Sequence, residues 1–295
     1  MQIDPTLAAT LAAVVDEGTL DAAARRLHLT PSAVSQRLKT LEDQIGQRVV
    51  VRSRPVRATP AGEAVVRFAR RHAEIARDAQ DELGLAGDGR PRLTVAVNAD
   101  SLATWILAPV SQFAAEHDVE IDLLRLDQER TVDLLESGAA LAAVTSRRDP
   151  VAGCRSTPLG SMTFVAVGAP AWVARWLPDG PTAAALLRAP RIDYDRDDRL
   201  QVDWLVTHGV DPAAAPRHLV PSTHDIARAV ELGLGWALVP RPHADELVAA
   251  GRLLWLGGPT IPTPLFWQHW KGGSALLHEL TETVVAGART LLQQD

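Results

Sequence analysis

The stretch Thr30-Pro31-Ser32-Ala33-Val34-Ser35-Gln36-Arg37-Leu38-Lys39-Thr40-Leu41-Glu42 constrains this chain more than any other. At 3.6 residues per turn Val34, Leu38, Leu41 and Ile45 share one face, while Ser32, Ser35, Gln36 and Lys39 share the opposite one. Thr30 is placed to cap the first turn, Pro31 suits a position whose N–H would go unused, and Gly46 ends the run. An ordinary surface helix carries acids and bases on its wet side. Here that side holds small hydroxyls, an amide and a lysine, groups that hydrogen-bond to base edges and phosphates. The spacing predicts a helix that reads double-stranded DNA.

The flanking residues complete the motif. Leu7, Leu11, Val14 and Val15 make one helical face ended by Gly18, and Thr19 caps a helix over 20–28 with Ala23, Ala24 and Leu27 on its packing side. Small alanines there let a second helix approach closely, as in a helix-turn-helix. Val49-Val50-Val51 is a β-type run. Arg52, Arg54 and Arg57 follow it around Pro55, either as a wing that reaches the DNA backbone or as a merely exposed basic loop. Thr59-Pro60 opens a helix to about Leu83, with Val65, Val66, Phe68, Ala69, Ile75 and Leu83 as its apolar side. So long a helix has too little to pack on inside one small domain, which calls for a dimer partner.

Charge supports this division. The 295-residue chain has a net charge of −6, yet residues 22–72 carry +8, which leaves −14 on the remainder. A basic block at one end of an acidic chain suits a DNA-contacting domain joined to a regulatory one. The single cysteine, Cys154, excludes an internal disulfide and a cysteine-based zinc cluster, and is expected to be a buried small apolar residue. No metal site and no cofactor is expected. There is no run long enough to span a membrane and no secretory signal pattern, so a cytoplasmic location is expected. No His-Glu-x-x-His, phosphate-cradling glycine loop or Gly-x-Ser-x-Gly is present, which argues against an enzyme.

Gly84 to Pro91 is a hinge by composition. Beyond it, strands at 93–97, 120–126 and 141–144 alternate with helices at 102–115 and 132–135. A second set of strands starts at Phe164 and continues through 190–194, 218–220 and 236–240, before a last helix over 274–292. That alternation predicts a mostly parallel sheet covered on both faces, in two α/β subdomains with a cleft between them.

Several motifs occur in one order: Ala22-Ala23-Ala24-Arg25-Arg26-Leu27, Pro31-Ser32-Ala33-Val34-Ser35-Gln36, Leu41-Glu42 and Thr59-Pro60-Ala61-Gly62. This segment resembles the winged helix-turn-helix of LysR-type transcriptional regulators, with one departure at Val49-Val50-Val51-Arg52, where the family usually has Leu-Phe before its arginine. Farther on, 97–105, Gly153-Cys154-Arg155, Gly233-Leu234-Gly235-Trp236 and Trp267-Gln268-His269-Trp270 resemble the ArgP/LysG branch. The resemblance implies an N-terminal all-α winged helix-turn-helix (1–58) and a long linker helix for dimerisation (59–84). A hinge (85–91) would then lead to a C-terminal α/β periplasmic-binding-protein-like effector domain (92–295). Its subdomain I would take about 92–163 plus 270–295, and subdomain II about 164–269. It further implies a homodimer, often a tetramer, a lysine or arginine effector, activation of an exporter gene, and RNA polymerase as a further partner at the target promoter. A different small-molecule effector is the alternative, as is, more remotely, a solute-binding protein.

On this footing the DNA-binding set is Thr30, Ser32, Ser35, Gln36, Arg37, Lys39, Arg52, Arg54 and Arg57, with Arg37 nearer the backbone. The effector set begins with Asn98, Asp100 and Ser101, where a strand gives way to a helix whose free N–H groups suit a carboxylate or are simply capped by Asp100 or Ser101. Thr145, Ser146, Ser222 and Thr223 are second contacts or plain hydroxyl caps. Among the acids that could meet an ammonium, Asp127 and Asp195 are favoured over Asp122, Asp193, Asp197 and Asp198. Trp105 walls the cleft or belongs to the core, where Trp236, Trp267 and Trp270 are placed.

Overall fold

Three capped helices bring the N-terminal apolar faces into one cluster. In a computed structural model describing residues 3–51, 53–83, 90–126 and 131–294, the Asp4 carboxylate accepts from the first turn of α1 (Pro5–Glu17). Thr19 accepts from Ala22 N–H in α2 (Leu20–Arg26), and Thr30 from Ala33 N–H in α3 (Pro31–Ile45). Leu11, Val14, Ala23, Ala24, Val34, Leu38 and Leu41 are buried together. A short hairpin follows, β1 (Val50–Val51) paired antiparallel with β2 (Arg57–Ala58). The Glu42 carboxylate accepts from Val49 N–H at 3.0 Å and ties this wing to α3.

The long helix is α4 (Pro60–Glu82). Thr59 Oγ1 accepts from Gly62 N–H at 3.0 Å and donates to Arg48 O at 2.7 Å, so the cap also anchors the strand before it. A Cβ on Gly62 would lie 1.9 Å from the Val49 carbonyl oxygen, which explains a glycine inside this helix. Gly62→Ala is expected to pry α4 from the wing, destabilising this region by about 1–3 kcal/mol. Thermal unfolding followed by circular dichroism measures it, and an unchanged midpoint would contradict the close approach. Val65, Val66 and Ala69 are buried against the helix-turn-helix, whereas Ile75 (60%) and Leu83 (71%) remain exposed.

The C-terminal region contains β3 (Arg92–Asn98), α5 (Ala99–Thr104), α6 (Leu107–Glu116), β4 (Glu120–Leu126), α7 (Thr131–Glu136), β5 (Ala142–Thr145) and β6 (Cys154–Gly168). Next come α8 (Pro170–Trp176), α9 (Ala183–Leu186), β7 (Arg191–Asp193), α10 (Leu200–Thr207), β8 (Arg217–Leu219), α11 (Thr223–Glu231) and β9 (Ala237–Pro240). The chain closes with α12 (Arg241–Ala249), β10 (Leu254–Trp255), β11 (Ile261–Trp270) and α13 (Ala275–Leu291).

The main sheet runs β10-β6-β11-β5-β3-β4, with β9 also on β6, and β7–β8 form a separate parallel pair. The expectation of a mostly parallel sheet is corrected here. Only β4-β3-β5 is parallel within the main sheet, and β6 pairs antiparallel with β9, β10 and β11. β6 and β11 are long strands shared by both halves. The start expected at Phe164 lies mid-strand, because Arg155, Ser156, Thr157 and Pro158 hide the strand pattern that pairing with β11 imposes. The helix expected over 102–115 is two helices, broken where Trp105 and Ile106 N–H both reach Ser101 O.

Cross-links tie α4 to the C-terminal region. Arg70 pairs with Asp16 of α1 and donates from Nη1 to Ser137 O at 2.7 Å. The Arg71 guanidinium lies 4.8 Å from the centre of the Trp270 ring.

Candidate nucleic-acid interface and ligand cleft

On α3 the apolar and polar faces separate as the sequence predicts. Val34, Leu38 and Leu41 are buried, and Ser32, Ser35, Gln36 and Lys39 are exposed. Thr30, also exposed, spends its hydroxyl on the Ala33 cap and on a 3.0 Å contact with Ser32 Oγ. Arg37 lies on the flank of the helix, between the two faces. It is half-buried and donates to Thr10 Oγ1 of α1 at 3.4 Å, because its position is closer to the packed face than to the wet one. Arg54 and Arg57 are exposed on the wing beside α3, and Arg52 lies outside the described residues.

A cleft of about 430 Å³ opens between the two halves of the C-terminal region, a size suited to a small metabolite. Asn98 and Asp100 reach it from the β3–α5 junction, Asp195 from the turn after β7, Gln201 from α10 and Thr223 from α11, over an apolar floor that includes Phe164 and Leu238. Hydrogen bonds near the cleft join α5 to the facing half. Thr223 Oγ1 donates to Asp100 Oδ1 at 2.7 Å, and His243 Nε2 donates to Ala103 O at 3.1 Å.

Among the described residues the lining acids are Asp100, Asp195, Asp197, Asp198 and Asp203, and the lone lining arginine, Arg199, is bonded to Asp203 at 3.1 Å. Burial pushes the Asp100 carboxyl up to about 6, the Thr223 hydrogen bond opposing and the Asp198 charge adding to the rise. Asp195 and Asp198 also shape their own turn. Asp195 Oδ1 accepts from Asp197 and Asp198 N–H, and Asp198 accepts from Tyr194 and Leu200 N–H.

The cleft thus gathers Asn98, Asp100, Asp195 and Thr223 of the expected set. Ser101 is fully buried outside the lining, and Trp105 (3% exposed) is core. Thr145 is buried and accepts from Arg147 N–H at 3.1 Å, Ser146 lies beside it, and Ser222 caps α11; none of the three lines the cleft. Asp127 lies outside the described residues. Asp122 pairs with Arg92 at 2.6 Å and Asp193 with Arg191 at 2.9 Å, so both acids are already committed. Gln201 was missed; its one signal is an uncharged polar residue at a position that amphipathic spacing assigns to the core. Cys154 is buried as expected, with its thiol pushed up to about 11 by burial.

Two family models match. "Bacterial regulatory helix-turn-helix protein, lysR family" covers residues 6–63, and "LysR substrate binding domain" covers residues 86–287. The chain is 40% identical over 286 residues to the lysine export transcriptional regulatory protein LysG of Corynebacterium efficiens, covering 96% of this chain and 97% of that one. The crystal structure of ArgP from Mycobacterium tuberculosis superposes with a TM-score of 0.90 at 42% identity, covering both chains fully. Full-length LysG from Corynebacterium glutamicum with bound effector Arg superposes with a TM-score of 0.81 at 33% identity, covering 98% of this chain and 99% of that one.

Proposed function

The chain belongs to the ArgP/LysG branch of the LysR family of DNA-binding transcriptional regulators, and from that premise we propose that it senses lysine or arginine and activates an amino-acid export gene. The observation that carries this reading is the charge of the cleft: five carboxylates against one arginine that is already paired. A basic amino acid keeps a net positive charge at neutral pH and is favoured by such a lining, whereas an anionic effector is repelled. The names of the relatives, a lysine-export regulator and a LysG with bound Arg, point the same way.

In this reading residues 1–58 bind DNA, α4 pairs two chains through Ile75 and Leu83, and residues from 92 onward bind the effector across the cleft. Ligand binding favours one angle between the two halves. The contacts of Arg70 and Arg71 pass that bias to α4 and so to the paired winged helices, with RNA polymerase engaged at the promoter. A gel shift on the DNA upstream of the protein's own gene, with and without lysine or arginine, tests the proposal. An amino-acid-dependent change in mobility or affinity is expected, and an identical shift under all conditions would refute the effector class.

The DNA side carries its own prediction. Gln36 offers donor and acceptor to an adenine edge, so Gln36→Ala is expected to reduce discrimination between operator and scrambled DNA by roughly 1–3 kcal/mol. Arg54→Ala is expected to weaken both DNAs evenly and to flatten the salt dependence. Fluorescence-anisotropy titrations at several salt concentrations decide. Equal loss on both DNAs for Gln36→Ala would remove its reading role.

A further inference from the structure

We infer that the inner end of the cleft is an ammonium subsite, in which Asp100 and the side-chain oxygens of Asn98 and Gln201 receive the α-ammonium group of an amino-acid ligand. The inference rests on the cleft being the effector site and reverses the polarity that a strand-to-helix junction suggests. α5 has six residues, and its first turn carries Asp100 itself, so it does not provide a seat for a carboxylate.

Two buried acceptors, Asn98 and Gln201, and the half-buried Asp100 line this end of the cleft without enough donors. Asn98 is 2% exposed, precedes α5 without capping it, and its Oδ1 has no hydrogen-bond partner. Gln201 is 1% exposed; its Nε2 donates to Ile192 O at 2.7 Å, which fixes the opposite atom as the acceptor, and that Oε1 is also unpartnered. Asp100 receives Thr223 Oγ1, and among the described residues no lysine or arginine pairs with it. Buried acceptors are almost always satisfied in folded proteins, and a buried carboxylate is usually paired with a cation. A group with several N–H donors and a positive charge supplies what all three lack.

The α-ammonium fits better than the side-chain cation. Lysine ends in an ammonium and arginine in a planar guanidinium, so the two share only the α-amino end, and two buried amide oxygens beside a half-buried carboxylate suit the shared group. The half-exposed and exposed acids Asp195, Asp197 and Asp203 form a looser rim that tolerates either tail.

The test is calorimetric titration of the full-length protein with L-arginine, L-lysine, 5-guanidinopentanoate (arginine without its α-amine) and L-norleucine (lysine without its side-chain amine). On the unaltered protein, 5-guanidinopentanoate is expected to bind about 100-fold more weakly than arginine. Asp100→Asn keeps an acceptor for Thr223. It is expected to lose a similar factor for arginine while leaving the already weak binding of 5-guanidinopentanoate unchanged. Affinity for 5-guanidinopentanoate within about threefold of that for arginine, or an equal loss of both ligands in Asp100→Asn, would overturn the subsite. Norleucine separates the two readings: if it binds as tightly as lysine, the basic-tail reading fails and the ammonium subsite stands. Absence of binding by every amine-bearing ligand would overturn both.

Discussion

Asp100→Asn is expected to raise the melting temperature of the ligand-free protein while weakening its binding of the effector. Burial holds the Asp100 carboxyl up at about 6, against 3.8 for an unhindered aspartate. The folded chain therefore binds a proton more tightly than the unfolded chain, and this group lowers stability as pH rises from about 4 to 6. Above that window the loss is constant, about 3 kcal/mol at pH 7 by linkage. An asparagine has no charge to bury, so the substitution should recover a large part of that loss, several degrees in melting temperature for a domain of this size. At pH 4, where the aspartate is protonated when folded, the gain should vanish. Thermal melts of both proteins at pH 4 and pH 7 measure this directly. A variant less stable than the parent at pH 7 would show that the carboxylate is held by partners other than Thr223.

The same carboxyl makes ligand binding depend on pH. A cationic ligand requires Asp100 ionised, so binding expels a proton whenever the free protein holds one. Affinity is expected to be flat above pH 6 and to fall by up to tenfold per pH unit below it. Other groups share the neighbourhood. Asp195, Asp197, Asp198 and Arg199 lie in the loop before α10, and Asp203 lies on α10. His224 and Asp225 occupy the first turn of α11, and His243 on α12 donates to Ala103 O. Burial lowers the His243 value. The fall in affinity should disappear in Asp100→Asn, which attributes it to one group.

The DNA-reading half was legible in the sequence because it is built from local signals. Caps at Thr19, Thr30 and Thr59, the break at Gly46 and the 3.6-residue spacing of Val34, Leu38 and Leu41 are each set by neighbours within one or two turns. The cleft was only half legible, since its members come from β3, α10 and α11, elements far apart in the chain that the sheet brings together. Asp100 stood out beside a strand end. Gln201 did not, because nothing local shows that one of its amide atoms is tied to Ile192 O while the other is left free. The contact of Arg37 with Thr10 was not legible either, because α1 and α3 meet only in the fold. Antiparallel pairing of β6 with β11 is likewise a long-range event, invisible to a pattern scanned along one strand.

Arg191→Ala is expected to produce the largest loss of stability in the effector region. Arg191 and Asp193 are two apart on β7, hence on the same face, and are 2% and 0% exposed. Arg191 Nε donates to both Asp193 oxygens at 2.9 and 3.1 Å, and its Nη1 donates to Pro212 O at 3.0 Å and Ala215 O at 3.2 Å. One guanidinium thus neutralises a buried carboxylate and holds the segment entering β8, just before the turn that carries Asp195 and Asp198 to the cleft. Removing it leaves the carboxylate with Arg217, 3.8 Å away and partly exposed, as its paired cation among the described residues, and takes a donor from the Pro212 and Ala215 carbonyls. Breaking one side of such a pair costs about 3–5 kcal/mol, whereas replacing both partners with apolar residues is often close to neutral. Arg191→Met combined with Asp193→Leu should accordingly recover much of the loss, although the two carbonyls still lack that donor. The sign of the pH effect follows from Asp193, whose value burial already raises despite the two arginines. Without Arg191 it rises further, so the deficit of Arg191→Ala should shrink as pH falls and the acid protonates. Urea titrations at pH 5 and pH 7.5 on the parent, the single variant and the double variant test this. A single variant as stable as the parent, or a deficit that grows toward acid, would show that the pair does not hold this part of the fold.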